Sequence, residues 1–128
     1  MAYHFSKNVK YTFEECVERV TEELKKDGFG ILTEIDVQAT FKKKLDVDFR
    51  KYQILGACNP NFALKAINEE PFIGTMLPCN VIIQENDNGS FTISAVDPMQ
   101  SMSAIENERL GEIAAKVRQL LKEVIERV

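Results

Sequence analysis

The sequence is poor in the groups that build familiar catalytic centres. Its 128 residues hold one histidine, three cysteines, six glycines and four prolines. There is no serine–histidine–acid set, no His-Glu-x-x-His helix motif and no Cys-x-x-Cys pair. No P-loop is present, and Gly28-Phe29-Gly30 is too short for a dinucleotide fingerprint. Three cysteines are an odd count in a chain whose first residues, Met1 to Lys7, lack an apolar signal core. A disulfide framework is therefore not expected, and the cysteines read as reduced thiols. No apolar run approaches the length that spans a bilayer. The expectation is a soluble, cytoplasmic protein with no membrane partner. Charge is also without bias: the net value is -4, with acidic and basic residues interspersed. Without a basic stripe, nucleic acid is not an expected partner. The run Lys42-Lys43-Lys44 reads as a solvated helix face.

What is present describes one small domain over residues 1–128. A hydrophobic share of 45% suits a globular core, and the length leaves no room for two. No repeat, low-complexity tract or linker interrupts it. Tyr3 to Asn8 alternates as a first strand. Thr12 to Asp27 reads as a helix, with Phe13, Cys16, Val17, Val20 and Leu24 on one face. Thr12 and Glu15 form a capping box, and Gly28 supplies a left-handed stop. A strand follows over residues 30–35. Asp36 is the expected N-cap of a short helix carrying Val37, Phe41 and Leu45. Residues 52–57 form a third strand, after which Asn59 as N-cap and Pro60 as first residue open another helix. Its apolar set includes Phe62, Ala63, Ala66 and Ile67. Pro71 to Pro78 reads as an irregular connection. Two strands then flank Asn86-Asp87-Asn88-Gly89, a hairpin turn signal. Ser103 and Glu106 suggest a capping box for a long final helix. The stripe Leu110, Ile113, Val117, Leu120, Leu121, Val124, Ile125 and Val128 covers one face of the sheet, and an overhanging end would invite a partner. The expected class is thus α+β, a single domain of about five strands with helices and a long C-terminal helix.

Two cassettes carry the functional signal: Leu55-Gly56-Ala57-Cys58-Asn59-Pro60 and Leu77-Pro78-Cys79-Asn80-Val81. Each sets a cysteine beside an asparagine and a proline, where one apolar run ends or another begins. Cys58 precedes an expected helix N-terminus, whose partial positive charge favours a thiolate. Asn59 and the free N–H groups there can also hold an anion. Cys16, on an apolar helix face, reads as core. Met76, Met99 and Met102 read first as flexible core filler, and His4 as part of the sheet rather than a metal ligand.

The strings Leu32-Thr33-Glu34-Ile35-Asp36-Val37-Gln38-Ala39-Thr40, Ile54 to Pro60 and Leu77 to Val81 resemble the domain of unknown function 302 family. Val96-Asp97-Pro98 and Met102 fit the same pattern. The resemblance spans nearly the whole chain. It implies a TATA-binding-protein-like β-α-β-rich architecture, an antiparallel sheet backed by helices, and a homodimer, and it implies no reaction.

The leading expectation is a small binding or accessory protein. Its site comprises Cys58, Asn59, Cys79 and Asn80, with Asp36 nearby if its end of the sheet faces the Cys58 end. If Cys58 and Cys79 meet, they make a soft pair suited to copper or zinc; a small anion is the other ligand class. The alternatives are a thiol-dependent enzyme acting on sulfur species or peroxide, with Cys58 as nucleophile, and a purely structural dimeric module. Everything turns on whether the two cassettes touch.

Overall fold

The computed structural model describes residues 2–128; Met1, the first residue of the segment read for a leader, lies outside them. Five strands form one antiparallel sheet: β1 (His4–Val9), β2 (Gly30–Asp36), β3 (Tyr52–Cys58), β4 (Cys79–Glu85) and β5 (Phe91–Val96), in the spatial order β1-β5-β4-β3-β2. Five α-helices are interspersed: α1 (Phe13–Lys26), α2 (Val37–Leu45), α3 (Pro60–Glu69), α4 (Pro98–Ser101) and α5 (Glu108–Arg127). The expected single α+β unit is therefore the architecture found. Among the described residues no helix is long and apolar enough to cross a membrane.

Alternation along the strands sends successive side chains to opposite faces. On the inner face Leu55, Val81, Ile83, Ile93 and Ala95 are buried against α1 and α5. Cys16, Val20 and Leu24 are the α1 contribution, and none of the three is exposed at all. The α1 capping box forms as expected: Glu15 N–H donates to Thr12 Oγ1 at 3.1 Å and Thr12 N–H to Glu15 Oε1 at 3.2 Å. Gly28 ends the helix at φ +85°, a conformation open to glycine at no steric cost. Helix α5 spans roughly 30 Å at 1.5 Å per residue. It is not overhung: Val117, Leu121, Val124, Ile125 and Val128 are buried in the sheet core, while Leu110 joins Ala66 and Ile73 in a second cluster.

Three local expectations are corrected. The stretch after α3 is not irregular but a 3₁₀ helix over Pro71–Met76. Helix α5 is capped by Asn107 rather than Ser103, because Asn107 Oδ1 accepts from Leu110 N–H at 3.1 Å while its Nδ2 donates to Glu69 O at 3.2 Å. One asparagine thus starts the helix and ties it to α3. Ile67 and Leu45 are exposed rather than packed, since α3 buries Ala66 and α2 buries nothing fully. Asp97, directly after β5, caps α4 by accepting from Met99 N–H and pairs with Arg118 Nε at 3.1 Å.

On the outer face α2 reaches Tyr52 of β3 through a chain of rings, Phe41 on Phe49 at 5.1 Å and Phe49 on Tyr52 at 6.4 Å. The register places Ser6, Ser94, Ile82, Ile54 and Ile35 in one row across all five strands. Neighbouring rows add His4, Val96, Asn80 and Thr33, then Asn8, Thr92, Gln84 and Tyr52. None of these strand residues is Lys, Arg, Asp or Glu, but Arg50 reaches the face from just before β3: its guanidinium donates to Gln84 Oε1 at 3.3 Å and lies 5.6 Å from the Tyr52 ring centre. His4 begins β1, as expected of a sheet residue, with Nδ1 at 2.6 Å from Ser6 Oγ.

Candidate functional site at the two cysteine cassettes

Strand pairing decides where the cassettes lie. Strands β3 and β4 run antiparallel with Ala57 opposite Cys79 and Gly56 opposite Asn80. Cys58 is the next residue along β3, at the point where the chain turns through Asn59 and Pro60 into α3. Both cysteines line one cavity of about 40 Å³. Phe29, Phe62, Ala66, Leu77, Pro98 and Val117 supply much of its wall, and Met102 borders it too. All three cysteines are free thiols: Cys16 and Cys79 are buried and Cys58 is half-buried. The two cassettes therefore border the same cavity.

Burial pushes the Cys79 thiol up to about 11 from an ordinary value of 9.0, and the neighbouring Cys58 adds to the rise. Desolvation disfavours the thiolate, and a second thiolate nearby repels it. Cys79 is thus a neutral thiol at pH 7. Burial also lifts Cys16 to about 11, in keeping with its place in the core.

The remaining expected site residues separate from the cysteines. Asn59 occupies the N-cap position of α3 but makes no side-chain cap. Its Nδ2 instead donates to Asp27 O at 3.1 Å and packs on Gly28, fixing α3 to the turn after α1. The carbonyls left over at the end of α1 need donors, and this one takes the amide that would otherwise cap α3. Asn80 is exposed on the outer face, one residue from buried Cys79 and on the other side of the sheet. Asp36 is the N-cap foreseen, with Oδ1 accepting from Ala39 N–H at 2.9 Å, and its Oδ2 lies 3.5 Å from Lys51 Nζ. However, β2 pairs antiparallel with β3, so Gly30 faces Cys58 while Asp36 faces Gln53. At about 3.4 Å per residue, six residues of strand put Asp36 roughly 20 Å from the cysteines. It lies at the wrong end of the sheet to serve them.

Among the described residues no three side chains of the His, Cys, Asp and Glu types gather as metal ligands. A four-ligand zinc centre is therefore not formed from them. Met102, at the end of α4, brings a third sulfur-bearing residue to the cavity, whereas Met99 and Met76 are exposed. Spacing alone does not separate these methionines, because the turn that divides Met99 from Met102 depends on Asp97 capping a helix of only four residues.

Comparison with known proteins agrees with the three motifs. The family described as "Domain of unknown function DUF302" matches residues 5–128. The chain belongs to the DUF302 family. A solved structure, that of an uncharacterized conserved DUF302 protein from Bacillus stearothermophilus, is 30% identical. It superposes with a TM-score of 0.92 and covers 99% of this chain and 98% of its own. No curated protein matches. Membership in DUF302 accounts for the fold, and it brings no activity with it.

Proposed function

We propose that this DUF302 chain is a small binding or accessory protein that holds a soft metal ion, of the copper(I) class, between Cys58 and Cys79. One observation carries this reading: two thiols and the Met102 thioether, from three different elements, border the same small apolar cavity. A volume of about 40 Å³ suits an ion or a water molecule and not a metabolite, which needs several hundred. An anion or a hard cation would find few polar partners there. Copper(I) is satisfied by a few soft sulfur ligands, whereas zinc prefers four. Each thiol must release its proton to solvent as its bond to the metal forms, so affinity rises with pH. The fit is to a reducing compartment such as the cytoplasm, where both thiols stay free.

The test is an anaerobic copper(I) titration in competition with a coloured chelator. Wild type should bind one ion per chain. The Cys58→Ser/Cys79→Ser double variant should bind none. Equal uptake by both proteins, or none by either, would sink the proposal.

The unequal burial of the pair supports a second reading, a thiol enzyme in which half-buried Cys58 attacks a peroxide and Cys79 resolves the product. Overall, two thiols and one peroxide give one disulfide and two waters. Mass spectrometry after peroxide treatment tests it. Without a Cys58–Cys79 linkage, this reading fails.

A homodimer through the outer sheet face belongs to the same proposal. Five strands about 4.8 Å apart and six residues long present on the order of 500 Å² before side-chain relief, approaching the 800 Å² per partner of a standard interface. The strand positions of this face carry few like charges to set against its own copy, and Arg50 reaches its rim through Gln84. Light scattering at high concentration decides: a clean monomer, or an Ile82→Lys variant with the mass of wild type, removes the dimer.

A further inference from the structure

We infer that Met76 is the surface entry point through which a soft metal ion reaches Cys79. This rests on the copper(I) reading above. Cys79 borders two spaces. One is the inner cavity. The other is a surface recess of about 310 Å³, lined by Met76, Pro78, Cys79, Asn80, Val96 and Ser101. Cys79 is therefore the wall between outside and inside, and its residual exposure of 8% agrees with that position.

Methionine ordinarily fills gaps in a core. Met76 does not: it is 42% exposed, at the end of the 3₁₀ helix and three residues before Cys79. The recess contains no Asp, Glu, Lys, Arg or His. Its amide and hydroxyl groups are hard, neutral donors, so the thioether and the Cys79 sulfur are its soft ligands. A thioether has no proton to lose, and it can take copper(I) from a donor complex by ligand exchange at any pH. Cys79 then forms its bond to the metal, its proton passes to solvent, and the Met76–copper bond breaks. Copper remains copper(I) throughout, and the donor ligand leaves unchanged.

Met76 in this scheme sets the rate of loading and leaves the final site alone. The experiment is stopped-flow transfer from copper(I) bicinchoninate under anaerobic conditions, with wild type, Met76→Leu and Met102→Leu. Leucine is close in size to methionine, and position 76 is exposed, so the fold is retained. Met76→Leu should load several-fold more slowly to the same endpoint of one ion per chain. Met102→Leu should lower the endpoint in competition with the chelator. If Met76→Leu loads at the wild-type rate to the full endpoint, the entry route is overturned and the metal site stands. If Met76→Leu lowers the endpoint, Met76 is a ligand of the final site and the entry role is equally overturned. If wild type takes up no copper(I), the metal site falls and the route with it.

Discussion

Replacing Gly56 with alanine asks for a methyl group where the fold has no room. The added Cβ would lie 2.7 Å from Pro78 Cγ and closer still to Thr33 Oγ1. The threonine can rotate, but the proline ring is rigid and leads directly into Cys79. Overpacking of a rigid site costs up to about 3 kcal/mol. Alanine also restricts the unfolded chain, which offsets about 0.4–1 kcal/mol. The net loss expected for Gly56→Ala is therefore about 2 kcal/mol. For a domain of this size that lowers Tm by roughly 8 °C, and the urea midpoint by about 1 M if m is about 2 kcal/mol/M. Urea unfolding followed by circular dichroism measures it. Adding Thr33→Ala should recover only part of the loss, because the Pro78 contact remains. A Gly56→Ala protein as stable as wild type would refute the claim that β3 must approach Pro78 without a side chain.

Raised thiol values make stability depend on alkaline pH. A thiol ordinarily at 9.0 and held near 11 in the fold contributes fully below pH 9, and the contribution fades as pH rises through 11. Wild type should lose stability between those limits, with about 2–3 kcal/mol attributable to Cys79 and absent from a Cys79→Ala variant. At pH 8 in the folded state, iodoacetamide should label half-buried Cys58 well before Cys79, as read by peptide mass mapping. Asp97→Ala strips the partner from Arg118 and the cap from α4, and should cost about 3 kcal/mol in denaturant unfolding. Asp36→Ala should cost only about 1 kcal/mol, the value of a lost cap, and leave the labelling rate of Cys58 unchanged; a changed rate would contradict its separation from the cysteines.

Much of this fold was legible because its signals are local. Thr12, Glu15 and Gly28 delimit α1 by hydrogen bonds within a few residues, and Asn86 to Gly89 turns the β4–β5 hairpin in the same way. Asn59 misled because its cap was judged without its competitor: the carbonyl of Asp27 is 32 residues away in sequence and adjacent in space. Asn107 was missed for a related reason, since its hold on Glu69 is a tertiary contact that no helix-start pattern contains. At the site, the shared cavity of the cassettes depended on the register that sets Ala57 against Cys79. The same antiparallel pairing that brings these cysteines to one cavity carries Asp36 away, and neither outcome is written in the residues themselves.

Strand β4 also sets the thickness of the molecule at its most interesting point. Cys79 faces the interior and Asn80 the outer side of the sheet, so a partition one strand deep separates the two. A body pressed against the outside touches the backbone that carries the thiol. A partner bound outside and an ion held within would stand a single main-chain thickness apart.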